Sequence, residues 1–244
     1  FRRVLFRSRG YITPQEFNLF ADHAQMEIFE QYFYDINQWT KQRGNSHEYS
    51  DMLVNLEEKI DKFASIAIGD NVTVLNQYGD INLNDDLPDL YRLGSVRVSY
   101  PVIGYKTAER MRSRKEFLLY ESSPLTKRNE QRPMYHRQTI GINDRIKIYP
   151  YPVNDDGSNI TTPTMDNVQV DYVRKPTKPN WMYVVVNDKP LYNSTESVDF
   201  ELHASEETEL VYRILALAGI AIEKPQLTQV AAGLQGAQIQ QEKQ

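Results

Sequence analysis

The spacing of apolar residues changes twice along this chain, and those two changes set its architecture. Phe17, Phe20, Ala24, Ile28, Tyr32, Ile36 and Trp39 recur at helical spacing. Phe29 and Phe33 widen that stripe, so this helix meets more than one neighbour. Its start is written in Thr13-Pro14-Gln15-Glu16. Thr13 caps the first turn, Glu16 bonds back to the cap, and Pro14 takes the first helical position, where a missing N–H costs nothing. Gly44-Asn45 breaks the helix just after residues 41–43. A second helix is expected over 47–68, where Tyr49, Met52, Leu53, Leu56, Ile60, Phe63, Ala64 and Ala67 follow the i, i+3, i+4, i+7 rule. The short connection makes the pair an antiparallel hairpin.

From Asn71 the period falls to two. Val72 and Val74, then Ile81 and Leu83, alternate with polar residues around a turn at Gly79-Asp80. Residues 90–100, 117–120, 134–140, 145–149, 168–173 and 182–186 continue the series as strands, with a hairpin turn over 141–144. Most of the 12 Pro fall in this stretch, at strand ends and connections, where a residue without an N–H does no harm. The expectation is an antiparallel region of about six to eight strands, a small sandwich or barrel.

Helical spacing then returns. Ser205 is placed as a cap, Glu206 and Glu207 suit the positive end of the helix dipole, and Leu210, Val211, Ile214, Leu215 and Ala218 make a buried stripe. Pro225 opens a shorter segment through Leu227, Val230, Ala231 and Leu234. The expected fold is therefore α+β. An N-terminal helical hairpin (9–70) and C-terminal helices (201–234) form one bundle, and an antiparallel β domain (71–200) is inserted between them. The Gln-rich tail (235–244) is expected to fray or to be ordered by a partner. Residues 1–8, Phe-Arg-Arg-Val-Leu-Phe-Arg-Ser, resemble the in-frame translation of a sequencing-adapter oligonucleotide and are set apart from the fold.

Composition narrows the chemistry. Of 244 residues, 28 are Lys or Arg and 33 Asp or Glu, a formal charge of −5 that argues against a dedicated nucleic-acid binder. No apolar run reaches the roughly 18 residues that span a bilayer. The absence of Cys removes disulfides, thiol nucleophiles, zinc–thiolate sites and iron–sulfur clusters. His23, His47, His136 and His203 share no metal-ligand spacing. Sixteen Tyr, each with an apolar body and a polar tip, suit surfaces that end up buried against a partner.

The motif search assigns no catalytic, cofactor-binding or metal-binding residue. There is no phosphate loop, dinucleotide fingerprint or nucleophile elbow. Asp85-Asp86, Asp155-Asp156 and Glu206-Glu207 are adjacent pairs, which point apart on a strand or helix. Residues 154–158 lack the calcium-loop pattern and read as a surface turn. Asn71-Val-Thr73, Asn159-Ile-Thr161 and Asn193-Ser-Thr195 are read as chance glycosylation triplets. Residues 106–115 hold the one basic concentration, either a contact for nucleic acid or an acidic subunit, or simply a solvated face. Arg145 and Lys147 fall on one sheet face and Ile146 and Ile148 on the other. His136 has no nucleophile or orienting acid placed beside it by any motif. The long polar connection 121–133 is a binding arm or a surface loop.

A helical hairpin leads into Leu87-Pro-Asp-Leu-Tyr-Arg-Leu-Gly94. Then follow Ser122-Ser-Pro-Leu-Thr126, Arg132-Pro-Met-Tyr135, Ile146-Lys-Ile-Tyr-Pro150 and Val170-Asp-Tyr-Val-Arg-Lys-Pro176. Phe200-Glu-Leu-His-Ala-Ser-Glu-Glu207 opens the final apolar helix. In this arrangement the chain resembles virion structural proteins of tailed phages, including crAss-like relatives. More distantly it is similar to the head–tail adaptor, or tail tubular A, family of short-tailed phages. The resemblance implies a non-enzymatic subunit without a cofactor, located in the virion and away from membranes. It implies a homo-oligomeric ring, commonly a dodecamer, between the portal and tail or nozzle proteins, with genomic DNA passing through unbound. A net negative chain repels phosphate, as such a channel requires. Two other readings stay open. One is a tail or receptor-binding module that takes glycan on Trp181 and Tyr183. The other is a hydrolase, which needs paired carboxylates or a metal cluster that the sequence does not display.

Overall fold

The computed structural model describes residues 12–41, 47–68, 80–100, 103–150, 168–186, 189–222 and 225–242. The expected strand at Val72 and Val74, the turn at 154–158, the triplets at Asn71 and Asn159, and residues 1–8 lie outside them. The molecule is α+β and divides into two compact units. One runs up to Lys62 and resumes at Pro176; the other is Phe63–Lys175.

The first unit contains helices α1 (Pro14–Lys41), α2 (His47–Asp61), α5 (Glu207–Ala221) and α6 (Pro225–Glu242), with a ribbon of β8 (Tyr183–Val186) and β9 (Lys189–Tyr192). The capping box at the start of α1 is formed. Glu16 N–H donates to Thr13 Oγ1 at 3.3 Å, and Thr13 N–H donates to Glu16 Oε2 at 2.9 Å. Ala21, Ala24, Gln25, Ile28, Phe29 and Tyr32 form its buried side. Arg213 of α5 ties α5 to α1. Its guanidinium meets Glu27 at 3.2 Å, Gln31, and its own helix neighbour Glu209 at 2.8 Å.

Four expectations for this unit are corrected. The second helix stops at Asp61 rather than 68, because 64–68 is drawn into a sheet; Phe63, Ala64 and Ala67 satisfy either period. Ser205 is not the cap. It lies in a single 3-10 turn, Ala204–Glu206, capped by His203, whose Nδ1 accepts Ser205 N–H at 3.3 Å. Of the expected stripe on α5, Leu210 and Ala218 are buried, but Val211 and Leu215 stand exposed. The Gln-rich tail does not fray at 235 but continues α6 to Glu242; Ala and Gln are good helix formers, and α6 packs along α5.

The second unit holds β1 (Ala64–Ile68), β2 (Asp80–Asn82), α3 (Leu83–Asp86), β3 (Leu90–Tyr100), β4 (Gly104–Met111), α4 (Arg114–Ser122), β5 (Met134–Ile140), β6 (Asn143–Tyr149) and β7 (Val168–Arg174). Seven strands form one sheet in the order β1-β7-β3-β4-β5-β6-β2. Ala67 on one edge strand and Ile81 on the other belong to the same buried cluster, so the sheet curls around its own core. Ile146 and Ile148 are fully buried in that core, which leaves Arg145 and Lys147 on the opposite face.

The expectation of a wholly antiparallel region fails at one pair: β4 and β5 run parallel. Parallel neighbours need a crossover, and α4 supplies it. Residues 117–120 are therefore helix, not strand. Ser113 caps α4 by accepting Glu116 N–H at 3.2 Å, and Glu116 accepts Arg112 N–H at 2.8 Å.

Between β3 and β7 the register slips. Leu93 faces Tyr172 and Val96 faces Val170, so Gly94 and Ser95 together oppose Asp171 in a bulge. A Cβ at position 94 would lie 2.8 Å from the Asp171 carbonyl oxygen, so only glycine fits. Ser95 and Arg97 (3.1 Å) hold the Asp171 carboxylate.

Candidate functional site

The first unit presents the β8–β9 ribbon on a base that is fastened side chain by side chain. On α1, Asn18, Ala21 and Gln25 lie on one face, at i, i+3 and i+7. Asn18 Nδ2 donates to Asn180 Oδ1 at 2.7 Å, and its Oδ1 accepts Trp181 N–H at 2.8 Å. Gln25, with no exposed surface, bridges two extended segments. Its Nε2 donates to the Thr177 carbonyl at 2.8 Å and its Oε1 accepts Glu201 N–H at 3.1 Å. Those segments also bond each other: Asn180 and Val198 exchange backbone hydrogen bonds at 3.0 and 2.9 Å, and Thr177 N–H reaches Glu201 Oε2 at 2.8 Å. A buried amide satisfied at both ends fixes a segment where an apolar side chain would let it slide.

Beyond this clamp the ribbon stands in water. Val184, Val185, Val186, Leu191 and Tyr192 are each 45–60% exposed. At its root the Trp181 ring stacks with Tyr183 (centroids 5.7 Å apart) and Tyr192 (6.5 Å). The sequence reading picked out Trp181 and Tyr183; it missed Asn18 and Gln25. Their signal was two amides interrupting an otherwise apolar helical stripe at a two-turn interval.

The first unit also contains a cavity of about 380 Å³ lined by Tyr32, Trp39, Leu56, Lys59, His203 and Glu206 among others. Two of its charges meet each other. Lys59 pairs with Glu206, and its ammonium lies 5.7 Å from the Tyr32 ring centroid. The arrangement joins α2 to the segment leading into α5; in the same lining Ser205 Oγ lies 2.9 Å from His203 Nδ1 and donates to Glu206 Oε1 at 3.2 Å.

The remaining sequence candidates are scattered. His23 meets Glu27 at 3.2 Å on the surface, and His203 is spent as a helix cap. In the second unit His136 stacks on Tyr149 (5.9 Å, 10°), with Nε2 at 3.1 Å from Gln138 Oε1. The segment 121–133 is folded back upon the sheet. Arg128 lies 4.8 Å over the Tyr149 ring and 5.4 Å over Phe117, and pairs with Glu121 at 3.2 Å. Arg110, Arg112, Arg114 and Lys115 of the basic stretch are exposed. Among the described residues no three His, Asp or Glu converge as metal ligands, and no helix is long and apolar enough to cross a membrane.

Burial raises the pKa of Tyr100, with the Glu130 carboxylate adding to it, and burial raises that of Tyr135 against nearby Arg110 and Arg137. The Arg137 guanidinium is raised chiefly by its hydrogen bond to Asp144. All three belong to the sheet unit.

No protein-family model matches the chain, and no curated protein matches it either.

Proposed function

We propose that this chain is a non-enzymatic virion structural protein of a tailed phage, a subunit of the head–tail connector ring below the portal. The observation that carries the reading is the clamped ribbon. Its root is held by the buried amide of Gln25 and the half-buried amide of Asn18, while five large side chains of its strands face solvent. A protein that works alone gains nothing from exposing such a patch; one that is covered on assembly does.

The finer architecture belongs to the same reading: the four long helices as one bundle, and the curled sheet as a barrel-like or sandwich-like β domain. So do the partners: further copies in a ring, a dodecamer by analogy with the family, the portal above, and tail or nozzle proteins below. DNA passes the acidic subunits without being gripped. Negative-stain microscopy of the purified chain, alone and with a portal, tests this: rings or portal-bound collars are expected. A protein that stays monomeric and never joins a portal contradicts it.

The Trp181, Tyr183 and Tyr192 stack supports one alternative, a tail or receptor-binding module whose aromatic faces take sugar rings. Binding on a glycan array, lost in Trp181→Ala, would favour that reading over the ring.

A further inference from the structure

Each unit has two sheet edges, and in each unit one is guarded while the other is open. In the sheet unit, the edge strand β2 is only three residues long and wholly buried, a short edge that resists pairing. The opposite edge, β1, is Ala-Ser-Ile-Ala-Ile: five residues without charge, Pro or Gly, with Ile66 and Ile68 exposed. In the ribbon, β9 contains Pro190, which has no N–H to offer a new neighbour. Strand β8 is Tyr-Val-Val-Val, again free of charge, Pro and Gly, with its three Val exposed. Among the described residues neither β1 nor β8 has a strand on its outer side.

Natural sheets block such edges with charges, prolines or bulges, and two edges that carry none of these and have no neighbour among the described residues are suited to pairing. A two-stranded ribbon is also marginal in water until a third strand joins it. The two open edges suit each other. They are four and five residues long, both aliphatic, and neither brings a charge that pairing would have to desolvate.

From this we infer that β8 of one copy adds to the free edge of β1 in the next copy, forming a continuous inter-subunit sheet. The occupant of each open edge is thus a second copy of this chain. The contact is head to tail, so each copy gives β8 once and receives on β1 once. Closure into a ring then leaves no open edge, whereas failure to close would give a filament. Main-chain hydrogen bonds set the register, and the exposed Val and Ile side chains are covered together. The inference rests on the reading of the chain as a self-assembling subunit and names the contact that does it.

The chain has no Cys, so it can be tested by single-cysteine cross-linking in the full-length protein without background. Ile66→Cys and Val185→Cys are made as separate proteins, mixed in equal amounts and oxidised. The expected result is a cross-linked dimer that contains one of each, far above either variant alone. Introducing Val184→Lys and Val186→Lys into the Val185→Cys partner abolishes it, while the far-ultraviolet circular dichroism spectrum stays that of wild type, because these side chains stand in solvent in the single chain. Cross-linking of Val185→Cys alone as strongly as the mixture means ribbon-to-ribbon pairing and overturns the inference. No cross-link, although native mass spectrometry shows wild-type oligomers, also overturns it and leaves the ring reading standing. No cross-link and only monomer at every concentration removes both.

Discussion

Gln25 is the residue on which the ribbon's placement turns. It is buried without exposure, and its amide serves Thr177 and Glu201 at once. Gln25→Ala leaves the Glu201 N–H and the Thr177 carbonyl without their partner and a gap in a fully buried site, and should cost about 2 kcal/mol in urea unfolding. In the sheet unit Tyr100 plays a comparable part. Its hydroxyl donates to the Pro150 carbonyl at 2.9 Å, and burial, then the charge of Glu130, lifts its pKa above the ordinary 10.0. The folded state thus favours the neutral phenol. That contribution is whole below pH 10 and is lost as pH rises from there toward the folded value. Tyr100→Phe should lose about 1 kcal/mol at neutral pH and lose less than wild type on going above pH 10, as measured by thermal melts across the alkaline range. Neither role was legible beforehand. A Gln inside a helical stripe and a Tyr at a strand end become informative only when the segments they serve, far away in sequence, are brought beside them.

At the level of elements the chain was legible where local signals and tertiary pairing agree. The α1 capping box at Thr13 and Glu16, strand β3 over 90–100, strand β5 over 134–140, and the inward Ile146 and Ile148 all follow from spacing alone. Where the two disagree, pairing prevails: 64–68 fits a helical stripe yet becomes β1 against β7. The strand expected at 117–120 had a visible counter-signal: Ser113 stands three residues before Glu116 and caps the helix by accepting its N–H. The parallel β4–β5 pair follows once that segment is a helix, since a helical crossover returns the chain in the same direction. The β3 bulge gives a sharp test. Gly94→Ala drives a methyl to 2.8 Å from the Asp171 carbonyl oxygen, a backbone atom that cannot swing aside. It should destabilise the fold by about 2 kcal/mol. The denaturant midpoint should fall while Gly141→Ala, strained through its φ of +66° but with open space around it, leaves the β3–β7 amides as protected from exchange as before.

Across the molecule, a helical unit carries a ribbon whose strand β8 is uncharged, and a curled sheet ends in an uncharged edge strand, β1. Charged side chains hold elements together in pairs, as Lys59 with Glu206 and Arg213 with Glu209 and Glu27. Under the proposed function the chain works by joining copies of itself. Native mass spectrometry of the purified full-length protein, titrated upward in concentration, tests it most directly. The account predicts one discrete, closed oligomer whose mass is a whole multiple of the chain's, disrupted by Val184→Lys and Val186→Lys. A single monomer peak throughout, with a portal present or absent, would contradict it.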